Sequence, residues 1–205
     1  MRLRPVTKKR PEVNGRLARV GITGGVAEGK STVLRYLREA GYRVASADDA
    51  ARRILDIPDV RQAVARAASL DVSFARAELM ERLSSRPESR RAVNRVLHPY
   101  IVDALAETGA EFIEVPLLVE TGLQDRFEEV WVVTCGVEEQ VRRLVERVGD
   151  KAAAQQILAL QLPTTAKVPF ADVILRTNEP RRRVKAYTLR AASGSNNSGV
   201  ARRVK

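Results

Sequence analysis

The sequence is poor in the residues on which several common chemistries depend. Among 205 residues there is one cysteine, Cys135, and one histidine, His98. A single cysteine excludes an intramolecular disulfide framework, and no Cys/His cluster is available for zinc. Multi-histidine catalytic and metal sites are excluded by the same count. No run approaches the roughly 18 apolar residues that a membrane-spanning helix needs. The opening segment "MRLRPVTKKRPEVNGRLAR" is basic but lacks an apolar core, so it does not read as a signal peptide. A cytoplasmic protein with no membrane partner is the expectation.

Acids are missing from one place in particular. Residues 181–205 hold eight Lys/Arg and no Asp/Glu, giving +8, and residues 1–19 contribute +6. Since the whole chain carries +11, the stretch between them is at −3. The basicity lies at the two ends and the body is slightly acidic. That argues against a nucleic-acid-binding fold and leaves nucleic acid as a partner of the basic ends only. Residues 1–17 read as a basic extension. Residues 181–205, which include the Ser/Gly/Asn-rich "AASGSNNSGVARRVK", read as a basic disordered tail.

What is present is an alternation of short β-branched runs with helical periodicity. "ARVGIT" (18–23), "YRVASAD" (42–48), "EFIEVPLL" (111–118), "VWVVTC" (130–135) and "ADVILRT" (171–177) read as strands. "STVLRYLREAG", "VEEQVRRLVERV" and "KAAAQQILALQ" read as helices, and the pattern from 49 to about 107 is helical throughout. This predicts an α/β fold with a five-stranded parallel sheet flanked by helices. In such open sheets the ligand sits beyond the carboxyl ends of the strands. Trp131 and Cys135 fall on a strand that reads as core.

One motif carries direct chemical meaning. "GGVAEGKS" fits G-x-x-x-x-G-K-[ST] at Gly24, Gly29, Lys30 and Ser31, between a strand and a helix. Glycines let backbone N–H groups converge on phosphate oxygens, and the helix N-terminus adds positive potential. Lys30 would reach the β- and γ-phosphates of ATP, Ser31 would bind Mg²⁺, and Thr32 would cap the helix or touch the α-phosphate. Gly25, Ala27 and Glu28 complete the loop. The Glu28 side chain is expected to point outward into solvent, because the loop's amides point inward. A chance Gly-rich turn is the bland alternative. There is no N-K-x-D element for guanine and no Asp-Glu pair after an apolar strand, so a small-molecule kinase remains.

"GITGGVAEGKSTV", "SADDAAR", "LHPYI", "VPLLVETGL" and "ADVILRTN" occur in this order. Together they resemble the dephospho-coenzyme A kinase family over about residues 18–178. The resemblance implies ATP-dependent phosphorylation of the ribose 3′-hydroxyl of dephospho-CoA by a phosphate-loop kinase domain spanning 18–180. It also implies a helical acceptor-binding insertion (49–107) and a lid (141–167). The family's Asp-Ala-Asp motif reads Ser46, Ala47, Asp48 here, so the candidate base is Asp48 and the first carboxylate is replaced. A helix N-cap is the other reading of Asp48. On the acceptor side the resemblance implies Arg76, His98, Pro116, Leu117 and Glu120. His98 also reads as a structural helix residue and Glu120 as a surface acid. In the lid, Arg147 matches the family's arginine, with Arg143 four residues before it and Lys167 as a later cation; a solvated basic helix face is the alternative. Asn178 matches an asparagine near the adenine. A monomer is expected. The rivals are another small-molecule kinase of the same fold, a nucleic-acid binder acting through its basic ends, and a kinase-like protein without activity.

Overall fold

The computed structural model describes residues 17–194. Five strands, β1 (Ala18–Thr23), β2 (Val44–Ser46), β3 (Phe112–Glu114), β4 (Phe127–Thr134) and β5 (Val173–Arg176), form one sheet in the order β2-β3-β1-β4-β5. All neighbouring pairs are parallel. The expected five-stranded parallel sheet is therefore present, with β2 and β3 shorter than their apolar runs.

Strand alternation sorts the core into two layers. Val20 and Ile22 of β1 and Trp131 and Val133 of β4 face one side. There they meet α1 (Lys30–Glu39), through Val33, Leu34 and Leu37, and the last helix, α9 (Arg181–Gly194), through Ala192. Phe112 stacks edge-on against Trp131, with ring centroids 5.3 Å apart. Val130 and Val132 face the opposite side. Gly21 lies on that side because a Cβ there would come within 2.6 Å of the Leu118 side chain and 2.7 Å of the Phe127 ring.

The opposite layer is the helical insertion: α2 (Ala47–Ile54), α3 (Pro58–Ala68), α4 (Arg76–Ser85) and α5 (Pro87–Glu107). Pro58 and Pro87 stand at helix starts, where a missing N–H costs nothing. Arg61 ties α3 to the following loop. It donates to the Val72 carbonyl at 2.8 Å and to the Phe74 carbonyl, and its guanidinium lies 4.1 Å from the Phe74 ring centre. After β4 come α6 (Val137–Val148), α7 (Lys151–Ala159) and the single turn α8 (Thr164–Lys167). Gly149 ends α6 at φ +80°, and the Asp150 carboxylate caps α7 by accepting from the Ala152 and Ala153 amides.

One expectation is overturned. Residues 181–194 are not part of a disordered tail but form α9, which buries Val184, Thr188 and Ala192. Charge hid the helix: its apolar and small residues are spaced at 184, 188 and 192, one helical stripe among arginines. Lys185 also pairs with Glu39 of α1 at 2.8 Å. The rest of the expected tail and residues 1–16 of the basic extension lie outside the described residues.

Candidate active site

The loop between β1 and α1 is shaped by backbone conformations that side chains resist. Gly24 has φ +150° and Gly29 φ +91°. A Cβ at Gly24 would lie 2.3 Å from the Val133 carbonyl oxygen, and one at Gly29 would lie 2.8 Å from Thr177 Oγ1. Ala27 also sits at positive φ, +61°, a conformation that costs a non-glycine residue about 1–2 kcal/mol. In the first turn of α1 the Thr32 and Val33 amides donate to the Gly29 carbonyl at 3.0 and 3.2 Å. Ser31 and Thr32 follow in that first turn.

Lys30 arches back over the loop, donating to the Gly24 carbonyl at 3.0 Å and the Gly25 carbonyl at 2.8 Å. Burial pushes its ammonium pKa below the ordinary lysine value, while the charges of Glu114, Glu28 and Asp48 work the other way. Glu114 ends β3 beside β1. Its carboxyl is pushed up by burial first; the Lys30 charge opposes this, the Asp48 charge adds to it, and a hydrogen bond from Ser46 opposes it. Ser46 and Glu114 are register partners across β2 and β3. Asp48 stands exposed in the first turn of α2, whose N-cap is Ser46, so Asp48 is not itself the cap. Asp49 is engaged by Arg52 one turn on. Lys30, Asp48 and Glu114 are thus near enough for their charges to act on one another.

Glu28 corrects the expectation of a solvated side chain: it is only 1% exposed. Its carboxylate accepts from the Gly25 amide at 2.5 Å, the Thr164 hydroxyl at 2.5 Å and the Thr134 hydroxyl at 3.0 Å. The side chain instead folds in behind the loop, where Thr134 at the end of β4 and Thr164 at the start of α8 supply donors. The outer edge of the loop is held as well. The Val26 amide donates to Gln161 Oε1, and Gln140 Nε2 donates to the Val26 carbonyl, both at 3.0 Å.

Among the expected acceptor-side residues, the structure separates two groups. Pro116 lies just past β3, and its carbonyl accepts from Thr23 Oγ1 at 3.1 Å and Lys167 Nζ at 3.0 Å. Leu117 is exposed and Leu118 is buried in the core. Glu120 is ion-paired with Lys167 at 2.8 Å, and the lysine side chain is 0% exposed. Glu120 and Lys167 thus join the β3 loop to α8. Arg76 and His98 are exposed on the helical insertion, at the start of α4 and within α5. Neither engages the phosphate loop among the described residues.

On α6, Arg143 is held by several partners, whereas Arg147 has none among the described residues. Arg143 donates to Glu139 at 2.7 Å, to Thr177 Oγ1 at 3.1 Å and to the Thr177 carbonyl at 2.8 Å. Glu139, held by hydrogen bonds from Arg142 and Arg143, has its carboxyl pKa lowered to about 2. Arg147 is exposed one turn further along α6. Thr177 and Asn178 follow β5. Asn178 borders a cavity of about 400 Å³ lying between the loop, α6, α8 and β5. Cys135 is buried, as expected of a core residue.

Five participants escaped the sequence reading of the site: Glu114, Thr134, Gln140, Thr164 and Thr177. Only Glu114 had a signal, an acid inside an otherwise apolar buried strand.

A parallel sheet whose first strand turns through a glycine-rich loop into a helix, with a lysine and two carboxylates whose charges interact and an arginine-bearing helix α6, defines a phosphate-loop kinase. The dephospho-CoA kinase family profile matches residues 18–181. The dephospho-CoA kinase of Streptococcus pyogenes serotype M3 is 33% identical over 174 residues, covering 78% of this chain and 88% of that protein. That of Streptococcus mutans is 34% identical over 175 residues, with the same coverage. Among solved structures, TT1252 from Thermus thermophilus is 28% identical, with a TM-score of 0.75, covering 89% of this chain and all of that one. The Campylobacter jejuni dephospho-CoA kinase shares the fold at 21% identity, with a TM-score of 0.56, over 87% of this chain and 98% of its own. The chain belongs to the dephospho-CoA kinase family, and its activity is the ATP-dependent phosphorylation of dephospho-CoA in coenzyme A biosynthesis. Among the described residues no helix is long and apolar enough to cross a membrane.

Proposed function

We propose that the γ-phosphoryl group of ATP is transferred to the ribose 3′-hydroxyl at the mouth of the 24–32 loop, with Asp48 as base. The observation that carries this reading is the closeness of Lys30, Asp48 and Glu114, whose charges act on one another. The loop amides and Lys30 hold the triphosphate. Asp48 takes the hydroxyl proton as the new O–P bond forms and the bond to the bridging oxygen of ADP breaks. Arg147, free on the lid, supplies a planar cation to the transferring oxygens. Arg143, already tied to Thr177, lies beside Asn178 and serves the nucleotide rather than the transfer.

The donor set suits Mg²⁺, which binds through one or two carboxylates together with substrate phosphates. Ser31 with Glu114 and Asp48 would hold it, and it would supply charge neutralisation between the phosphates. In this reading Glu114 provides the second acid that Ser46 no longer supplies. The acceptor groups are Pro116 and Leu117 of the β3 loop, positioned by Glu120, with Arg76 and His98 on the insertion. The enzyme acts as a cytoplasmic monomer.

The test is ADP release from Mg·ATP with dephospho-CoA as acceptor, beside Lys30→Ala and Asp48→Asn. Turnover of about 1–100 s⁻¹, lost in both variants, supports the assignment. ATP binding without coenzyme A formation would reject the acceptor assignment, and a panel of nucleosides and nucleotides would then locate the true acceptor.

A further inference from the structure

Glu28 is a carboxylate buried at the back of the phosphate loop, which is unfavourable unless hydrogen bonds satisfy it. Three donors from three parts of the chain do so: Gly25 in the loop itself, Thr134 at the end of β4 and Thr164 at the start of α8. The backbone carbonyl of the same residue accepts from Thr177, after β5, at 2.7 Å. Position 28 therefore joins the loop to the ends of β4 and β5 and to the start of α8. The short turn α8 is pinned at its other end by Lys167, through Glu120 and the Pro116 carbonyl. A small side chain at position 28 would not span β4 and α8 together.

We propose that Glu28 is a positioning residue for ATP: it sets the curvature of the phosphate loop by clamping it, through Thr164, to the foot of the lid. This rests on the reading of the loop as the ATP site. The clamp acts on the nucleotide side alone, so its loss weakens nucleotide binding and leaves dephospho-CoA binding intact. Reach matters more than charge. In Glu28→Gln the carboxamide oxygen still accepts from the Gly25 amide, and the NH₂ group donates to a threonine hydroxyl, which can turn to accept. In Glu28→Ala both threonine hydroxyls lose the carboxylate, and the Gly25 amide keeps only its longer bond to Thr164 Oγ1 at 3.2 Å.

The experiment is calorimetric titration with Mg·ADP and steady-state kinetics on the full chain, for wild type, Glu28→Ala, Glu28→Gln, Thr164→Val and the Glu28→Ala/Thr164→Val double variant. Glu28→Ala and Thr164→Val should each raise the Kd for Mg·ADP and the KM for ATP, by about tenfold for Glu28→Ala, with the KM for dephospho-CoA unchanged. Glu28→Gln should return ATP binding to within about threefold of wild type, and the double variant should be weaker than Glu28→Ala by much less than the Thr164→Val effect alone, because the two side chains share a contact and Thr164 adds only its 3.2 Å bond to the Gly25 amide. A lower kcat with both KM values unchanged would mean only a smaller folded fraction, and would overturn the proposal. So would single effects that multiply in the double variant. If Glu28→Ala does not fold, Thr164→Val carries the test, and an unchanged KM for ATP refutes the clamp. A wild-type protein that fails to bind Mg·ADP would reject the ATP site itself, whereas wild-type binding with unchanged variants rejects Glu28 alone.

Discussion

The buried Lys167 offers a quantitative test of how the site is assembled. Its side chain is 0% exposed, and its ammonium meets the Glu120 carboxylate at 2.8 Å and the Pro116 carbonyl at 3.0 Å. Lys167→Met keeps the length of the side chain and removes the charge. The Pro116 carbonyl retains the Thr23 hydroxyl at 3.1 Å, so little is lost there. The loss falls on Glu120, left unpaired. Orphaning one member of a fully buried ion pair costs about 3–5 kcal/mol. The Glu120 side chain is 21% exposed and water screens part of this, so about 2–4 kcal/mol is expected. For a domain of this size that lowers Tm by roughly 5–15 °C. Adding Glu120→Gln removes the orphaned charge and should recover about half of the loss. Urea unfolding followed by circular dichroism measures each value. A loss below about 1 kcal/mol for Lys167→Met, or a double variant as unstable as the sum of the singles, would refute the assignment of the pair as the link between the β3 loop and α8.

Glu114 couples stability to activity with opposite signs. Its folded-state pKa is raised above 4.5 by burial, so its contribution to stability is present below that pH and is lost as pH rises through the folded value. Glu114→Gln should therefore raise Tm at pH 7 relative to wild type, with the gain vanishing near pH 4, while turnover falls about 10- to 100-fold; a lower Tm at pH 7 would contradict the stated cause of the shift. The acidic limb of kcat/KM should flatten in the same variant if that carboxylate must be ionised to work. The two lid arginines should separate kinetically. Arg143→Ala, which frees Thr177, should mainly raise the KM for ATP, and Arg147→Ala should mainly lower kcat; steady-state kinetics giving the reverse pattern would exchange their roles.

The fold was legible wherever a local pattern sufficed. β1, β4 and β5 are apolar runs rich in β-branched residues, and the loop announces itself by glycine spacing. β2 and β3 came out shorter than their apolar runs because a run marks burial, whereas a strand needs a paired neighbour. "VPLL" buries Val115 and Leu118 but turns away after Glu114, and its Pro116 carbonyl meets Thr23 and Lys167. The last helix was hidden by its charge, since three small or apolar residues among arginines give a weak periodic signal. Its partner surface on α1 is more than a hundred residues earlier in the chain.

The site divides along the same line. Gly24, Gly29, Lys30 and Ser31 are contiguous, and their spacing alone specifies a phosphate loop. Glu28 is contiguous too, yet its surroundings were misjudged. What decides whether a carboxylate is solvated or buried is the supply of donors, and its donors are 106 and 136 residues away. The same holds for Ser46 and Glu114. Read along the chain, the serine is a lost acid and the glutamate an anomaly in an apolar strand. Parallel pairing sets them side by side in register, so a carboxylate missing from β2 is supplied by β3 at the same level of the sheet. Loss of a motif residue therefore cannot be equated with loss of its charge until the neighbouring strand has been read, and activity is expected to follow Glu114 rather than Ser46. Restoring the acid with Ser46→Asp would place two like charges on adjacent strands beside Asp48. It should raise the Glu114 pKa further and lower turnover near neutral pH rather than improve it; a faster enzyme would show that the acid is needed on β2 itself.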